Sequence, residues 1–243
     1  MATVILVRHG RTTANTAGVL AGRTAGVRLD DLGEQQAARA GDRLTKLALR
    51  AVVSSPLERC RQTADHVSRR QATPPKVTRE KGLSEVDYGA WTGRAIKDLA
   101  KDPLWRTVQA HPAAVTFPEG ESMAGMSARS VAAVRRWDAT VEAEHGSDAL
   151  WVAVSHGDVI KAILADALGI HLDAFQRIVV DPASISVVRY TPGRPFVLMT
   201  NTHEGDLGHL APPEKAARRR SRRTRPPGES DATLGGGAGP AKA

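Results

Sequence analysis

The chain has 243 residues, of which 41% are hydrophobic and 25% charged, the balance of a globular protein with one sizeable core. A single cysteine, Cys60, excludes an intramolecular disulfide framework, and no apolar run approaches the roughly 20 residues that cross a bilayer. The formal net charge is +8, and residues 211–243 supply +5 of it, with eight Lys and Arg against three acidic residues.

The charge divides the chain into a folded region, residues 1–210, and a basic tail, residues 211–243. The tail is rich in proline and glycine and has almost no apolar periodicity, so we expect it to be disordered. Its arginines have no aromatic residues between them for stacking on bases, so nucleic-acid binding is not favoured. The lone Cys60, interpreted as a small buried helix residue, and the lack of a leader pattern favour a cytoplasmic protein.

An apolar run over residues 2–7 predicts a buried strand at the start of the chain. Arg8, His9 and Gly10 follow it, and ligands bind at the carboxyl edge of open α/β sheets. A histidine held there beside an arginine can attack phosphorus while the guanidinium binds the phosphoryl oxygens. Taken alone, these residues fit a buried, hydrogen-bonded structural histidine equally well.

A loop, a helix and a strand are predicted next. Residues 18–28, with three glycines and two arginines, are expected to form a mobile loop on the substrate side. Residues 33–49 are amphipathic and predict a helix capped by Asp30 or Asp31. Residues 51–54 predict a short strand.

Residues 56–70 predict a helix with proline in its first turn. Arg59 lies near the start of this helix, where a planar guanidinium and free backbone N–H groups together favour an oxyanion. Arg61 points to a different helical face and is expected to form a surface salt bridge. A short extended stretch is predicted over residues 77–80.

The segment LSEVDYGAWTG, residues 83–93, predicts a loop that carries two acids. A carboxylic acid beside a leaving oxygen can protonate it and then accept a proton from the incoming water. Glu85 is the candidate for this role, although a loop glutamate is more often solvated or a cap. Asp87 is interpreted as a loop or cap residue.

The second half repeats the pattern of the first strand. Residues 123–145 predict a long helix, and residues 150–154 predict a strand that leads into His156 and Gly157. A helix is predicted over residues 158–168. If the two histidine-bearing strands are neighbours, His9 and His156 meet across one crevice, and the glycines allow close approach of backbone and ligand.

Residues 184–190 and 196–200 predict an antiparallel pair around the turn at Pro192 and Gly193. The alternation of strands and helices predicts an α/β three-layer sandwich. We expect a mostly parallel central sheet, one antiparallel edge element and helices on both faces.

Five motifs in this order resemble the histidine phosphatase superfamily: RHGRTTAN, SSPLERCRQTA, LSEVDYGAWTG, FPEGES and SHGDVIKAI. The similar branch contains the cofactor-dependent phosphoglycerate mutases and their phosphatase relatives. The resemblance extends from about Thr3 to about Tyr190. The chain also resembles an actinobacterial group of phosphomutases and phosphatases.

The resemblance implies that His9 is a nucleophile that becomes phosphohistidine, and that Glu85 is the proton donor and then the base. The residues that would bind the substrate phosphate are Arg8, Asn15, Arg59 and His156, with support from Thr12 and Gly157. It implies no metal and no other cofactor, because cations and N–H donors stabilise the phosphoryl charge. The implied partner is a small phosphorylated metabolite, and a homodimer is expected by resemblance only.

The acceptor of the phosphoryl group distinguishes a phosphatase from a mutase. Mutases of this superfamily have an arginine just after the catalytic glutamate, then a tyrosine, and an arginine pair in a longer insertion. This chain has Tyr88, but Val86 stands at the arginine position and residues 94–117 contain no arginine pair. Water is therefore the favoured acceptor. A phosphomutase and a catalytically inactive protein that binds phosphate esters are the alternatives.

Overall fold

Strands and helices alternate along residues 2–203, the part of the chain described by a computed structural model. The strands are β1 (Thr3–Arg8), β2 (Leu49–Ser54), β3 (Val77–Arg79), β4 (Leu150–Ser155), β5 (Ile185–Arg189) and β6 (Phe196–Thr202). The helices are α1 (Thr13–Thr16), α2 (Asp31–Arg43), α3 (Glu58–Arg69), α4 (Ile96–Leu99), α5 (Pro103–Ala110), α6 (Met123–His145) and α7 (Gly157–Leu168). The predicted tail, residues 211–243, lies outside the described residues.

The strands form one sheet in the order β3–β2–β4–β1–β5–β6. β3, β2, β4 and β1 are parallel, and β5 pairs antiparallel with both β1 and β6. The central strands β1 and β4 are almost wholly buried, which agrees with their continuous apolar sequences. The predicted mostly parallel sheet with an antiparallel pair at one edge is confirmed.

Helices cover both faces of the sheet, as predicted. In β1, Ile5 and Val7 pack in the cluster that includes α2 and α3, whereas Val4 and Leu6 pack in the cluster that includes α6 and α7. This alternation follows from the two-residue period of a strand. No helix among the described residues is long and apolar enough to span a membrane.

The predicted helix over residues 33–49 is wrong at its carboxyl end. α2 is capped by Asp30 and ends at Arg43, and Leu49 already pairs with Leu150 in the sheet. Tertiary pairing of an apolar segment outweighs its helical pattern here. The helix α5 was not predicted, although Asp102 caps it and proline occupies its first turn.

Candidate active site

The two histidines lie side by side at the carboxyl edge of the sheet. β1 and β4 are neighbours whose last paired residues are Arg8 and Ser155, so the residue that follows each strand reaches the same edge. The backbone N–H of His9 donates to the carbonyl of Ser155 at 3.0 Å. The two imidazole rings pack edge to face, with centroids 5.2 Å apart.

Gly10 keeps this edge compact. A Cβ atom at Gly10 would lie 2.3 Å from the carbonyl oxygen of Gly33 in α2. The absent side chain therefore lets the start of α2 pack directly against the segment that follows β1. The close approach is between two parts of the backbone, which refines the expectation that a glycine is needed here.

The hydrogen bonds of His9 indicate its tautomer. Nδ1 lies 2.7 Å from the carbonyl of Gly10, and Nε2 lies 3.3 Å from Nε of Arg59. Because an arginine nitrogen only donates, Nε2 is the acceptor and Nδ1 carries the proton. Burial, together with the charges of Arg59 and Arg8, holds the pKa of His9 well below its usual value. The imidazole is therefore neutral, with an unprotonated Nε2.

Arg59 is positioned in the first turn of α3 and is 2% exposed. Its Nη2 donates to the carbonyl of Gly22 at 2.8 Å. Its Nη1 is buried and has no hydrogen-bond partner among the described residues. A buried guanidinium N–H without an acceptor is costly, and an anion beside His9 would satisfy it.

The other predicted phosphate ligands lie at different depths. Arg8 is fully buried and donates to the carbonyl of Val180 at 2.8 Å. Burial lowers the pKa of Arg8 to about 10, so its guanidinium is still protonated at neutral pH. Asn15 lines the pocket, and its amide oxygen accepts hydrogen bonds from the backbone and side chain of Thr12. The amide nitrogen of Asn15 is therefore the group that can meet a ligand.

Glu85 lines the same pocket and is 4% exposed. Its Oε1 accepts the N–H of Val86 at 3.0 Å, and its Oε2 lies 3.8 Å from Nδ1 of His156. Burial, followed by the negative charge of Asp158, raises the pKa of Glu85 to about 7. A carboxyl group with this pKa can donate a proton near neutral pH.

His156 is fully buried, and its contacts were not anticipated from the sequence. The hydroxyl of Ser55, the residue that follows β2, lies 2.8 Å from its Nε2, and the Sγ of Cys60 lies 3.4 Å from the same atom. Cys60 is the buried helix residue that was predicted, and burial raises the pKa of its thiol to about 12. Gly157 begins α7 directly after His156. The signal for Ser55 was its place at a third strand end on this edge.

A second unanticipated group surrounds the backbone of Glu85. Its carbonyl accepts hydrogen bonds from Arg23 at 2.8 Å and from Arg129 at 3.1 Å. Both arginines also contact the carboxylate of Glu121. These residues are far apart in sequence, so no local pattern could have grouped them.

The pocket combines polar and apolar residues. Its lining comprises His9, Thr12, Asn15, Val19, Leu20, Ala21, Gly22, Arg59, Glu85, Tyr88 and Ile96. Four of these residues belong to the loop predicted on the substrate side, residues 18–28. Within residues 2–203, no group of three or more His, Cys, Asp or Glu side chains is arranged to bind a metal ion.

Known proteins are similar to this chain in sequence and in fold. The family model for the histidine phosphatase superfamily, branch 1, matches residues 4–203. A probable phosphoglycerate mutase, GpmB of Citrobacter koseri, is 34% identical over 226 residues, which cover 88% of this chain and 97% of that protein. Phosphoserine phosphatase 1 of Hydrogenobacter thermophilus is 29% identical over 204 residues, 83% of this chain and 92% of that protein.

A solved structure with a similar fold is that of a mycobacterial glucosyl-3-phosphoglycerate phosphatase. It has a TM-score of 0.73 and 26% sequence identity, and the match covers 83% of this chain and 99% of that one.

Proposed function

The chain belongs to branch 1 of the histidine phosphatase superfamily, and from that membership we propose a phosphatase that hydrolyses small phosphomonoesters through a phosphohistidine on His9. The observation that carries the proposal is the pairing of His9 with Arg59. One N–H of the guanidinium contacts Nε2 of the histidine, and a second, buried N–H has no partner among the described residues. A nucleophile next to a guanidinium N–H that has no acceptor among the described residues suits a phosphoryl group, whose oxygens can accept that hydrogen bond.

In the first half of the reaction, Nε2 of His9 forms a bond to phosphorus as the bond from phosphorus to the ester oxygen breaks. The proton on Glu85 passes to that oxygen, and the alcohol leaves. Arg59, Arg8, Asn15 and His156 are assigned to the phosphoryl oxygens, whose charge they stabilise in the transition state. The hydrogen bond from Nδ1 to the carbonyl of Gly10 supports the positive charge that develops on the imidazole.

In the second half, water attacks the phosphohistidine. The carboxylate of Glu85 accepts a proton from the water, the bond from phosphorus to nitrogen breaks, and inorganic phosphate is released. The protonated acid and the neutral imidazole are both restored. Glu85 thus acts as an acid and then as a base, for which its pKa of about 7 is well matched.

A phosphomutase is the second candidate, because the GpmB protein named above is a probable phosphoglycerate mutase. Val86, directly after Glu85, is fully buried in the hydrophobic core and presents no cation to a substrate carboxylate. This contrast with the mutase pattern supports water as the acceptor.

The proposal is tested by assaying phosphate release from a panel of small phosphomonoesters, including 3-phosphoglycerate, with its 2-phospho isomer measured in the same samples. We expect phosphate release that is unaffected by a metal chelator and that falls by more than about 10³-fold in His9→Ala. Isomer formation that outpaces phosphate release would favour the mutase. Ester binding without turnover would favour an inactive binding protein.

We also propose that the protein is a cytoplasmic homodimer. Support for self-association comes from the edge strand β6, where Phe196, Leu198 and Met199 are each about half exposed. Light scattering of the full chain measures the oligomeric state directly.

A further inference from the structure

Beyond the catalytic groups and the polar residues Thr12 and Asn15, the lining of the pocket is mostly apolar. Away from His9, Arg59 and Glu85, its wall is formed largely by residues 19–22 and Ile96. Tyr88 also lines the pocket, but its hydroxyl donates to the buried carboxylate of Asp158 at 2.8 Å. The leaving group of a bound ester would contact this wall, called here the alcohol wall, which comprises residues 19–22, Tyr88 and Ile96.

Two arginines adjacent to pocket residues in sequence form ion pairs outside the pocket, whereas Arg94 and Lys97, on either side of Ile96, are exposed. Arg23 contacts Glu121 at 2.9 Å, and Arg11 contacts Asp30 at 2.8 Å. Neither arginine lines the pocket. Among the described residues that do line it, Arg59 is the only cation, and the phosphoryl group would occupy its donors.

The alcohol wall is held by backbone hydrogen bonds. The N–H of Ile96 donates to the carbonyl of Gly18 at 2.8 Å, and the N–H of Leu20 donates to the carbonyl of Arg94 at 2.9 Å. These bonds join the loop to the start of α4. The apolar residues are therefore placed by the backbone, and a side chain can be replaced without removing either bond.

We propose that the preferred substrates are phosphomonoesters of uncharged alcohols with an apolar carbon skeleton, and that a carboxylate on the alcohol is discriminated against. This inference rests on the proposed function. A carboxylate placed against the alcohol wall loses hydration and meets no cationic side chain among the described residues that line the pocket, apart from Arg59. An alkyl chain in the same place is removed from water, which favours its binding.

The test compares n-butyl phosphate with the phosphate ester of 4-hydroxybutanoate. The two alcohols have similar length and similar acidity, so the intrinsic reactivity of the esters is matched. We expect kcat/KM to be at least about tenfold higher for n-butyl phosphate. Ile96→Lys should move this ratio at least about tenfold toward the carboxylate ester, whereas Ile96→Met should leave it unchanged.

The possible outcomes distinguish failure of the proposed substrate preference from failure of the proposed function. A ratio of one or lower in the native chain, with phosphate released from both esters, overturns the inference and leaves the proposed function in place. Release from neither ester by folded protein that hydrolyses another member of the panel also overturns only the inference, whereas release from no ester of the panel overturns the proposed function itself. An unchanged ratio in folded Ile96→Lys overturns the assignment of the wall, and Val19→Lys repeats the test if the first variant does not fold.

Discussion

The groups around the buried carboxyl of Glu85 shift its pKa in opposite directions, and this balance suits it to catalysis. Burial and the negative charge of Asp158 raise the pKa of Glu85, whereas Arg59, the N–H of Val86 and Arg8 lower it. The result, a pKa of about 7, lets one side chain serve as acid and base at the same pH. The imidazole of His9 must have an unprotonated Nε2 in order to attack phosphorus, and burial lowers its pKa so that it stays neutral.

We therefore expect kcat/KM for an alkyl phosphate to decline above pH 7, by about tenfold per pH unit, because only the protonated form of Glu85 donates a proton. Glu85→Gln should lower the plateau by about 10²- to 10⁴-fold and remove this decline. The measurement is kcat/KM against pH for the native chain and for Glu85→Gln. The native value is divided by the variant value at each pH, so that ionisation of the ester cancels. An identical alkaline decline in Glu85→Gln would contradict the assignment.

The sequence could predict which functional residues lie at strand ends, but it could not predict which residues they contact. His9 and His156 were placed correctly because parallel strands bring their carboxyl ends to one edge. The contact of His156 with Ser55 and the contacts of Arg129 with Glu85 depend on tertiary packing over long sequence separations. No local pattern encodes those distances.

At the scale of elements, the loop over residues 18–28 both lines the pocket and contacts Arg59. The carbonyl of Gly22 accepts a hydrogen bond from Arg59, and Gly22 has a φ of 51°. Gly26, in the same loop, has a φ of 75° but open space where a Cβ would lie. At Gly22 that Cβ would lie 2.9 Å from Oγ1 of Thr92.

These two glycines make a matched pair of substitutions. Ala at either position adopts a strained backbone at a cost of about 1–3 kcal/mol, and Gly22→Ala should lose further thermal stability because its Cβ would meet Thr92. Only Gly22→Ala displaces the carbonyl that holds Arg59, and we expect its kcat/KM to fall at least about tenfold. Gly26→Ala should stay within about twofold of the native chain. Thermal unfolding and steady-state kinetics measure the two effects, and equal kinetic losses in both variants would contradict the role of Gly22.

Hydrophobic periodicity predicted whether a segment is a helix or a strand more reliably than it predicted the residues at which that element begins and ends. α6 was predicted with both its ends, and in the structure Ser122 caps its start and Gly146 follows its last residue. The segment between α2 and β2, which contains Leu44, Leu47 and Leu49, was assigned to a helix as part of the amphipathic run over residues 33–49. All three instead pack in the cluster beneath the sheet from a turn and a strand.

At the scale of the whole molecule, the excess positive charge and the residues assigned to the reaction lie in different parts of the sequence. Every side chain assigned to the reaction lies between Arg8 and His156, and the family match covers residues 4–203. Removing the +5 of residues 211–243 from the total of +8 leaves +3 for residues 1–210. Most of the excess positive charge therefore belongs to a segment with no assigned part in catalysis.

A chain that ends at residue 210 should consequently retain kcat/KM within about twofold at physiological ionic strength, where charges beyond about 8 Å are largely screened. At low salt, loss of the tail should lower kcat/KM for dianionic esters, because its charge of +5 attracts them and such steering strengthens as ionic strength falls. The measurement is kcat/KM for both chains across a salt series, with thermal unfolding as the control for folding. A folded truncated chain that loses hydrolysis at every salt concentration would place part of the catalytic machinery in the tail and contradict the division at residue 210.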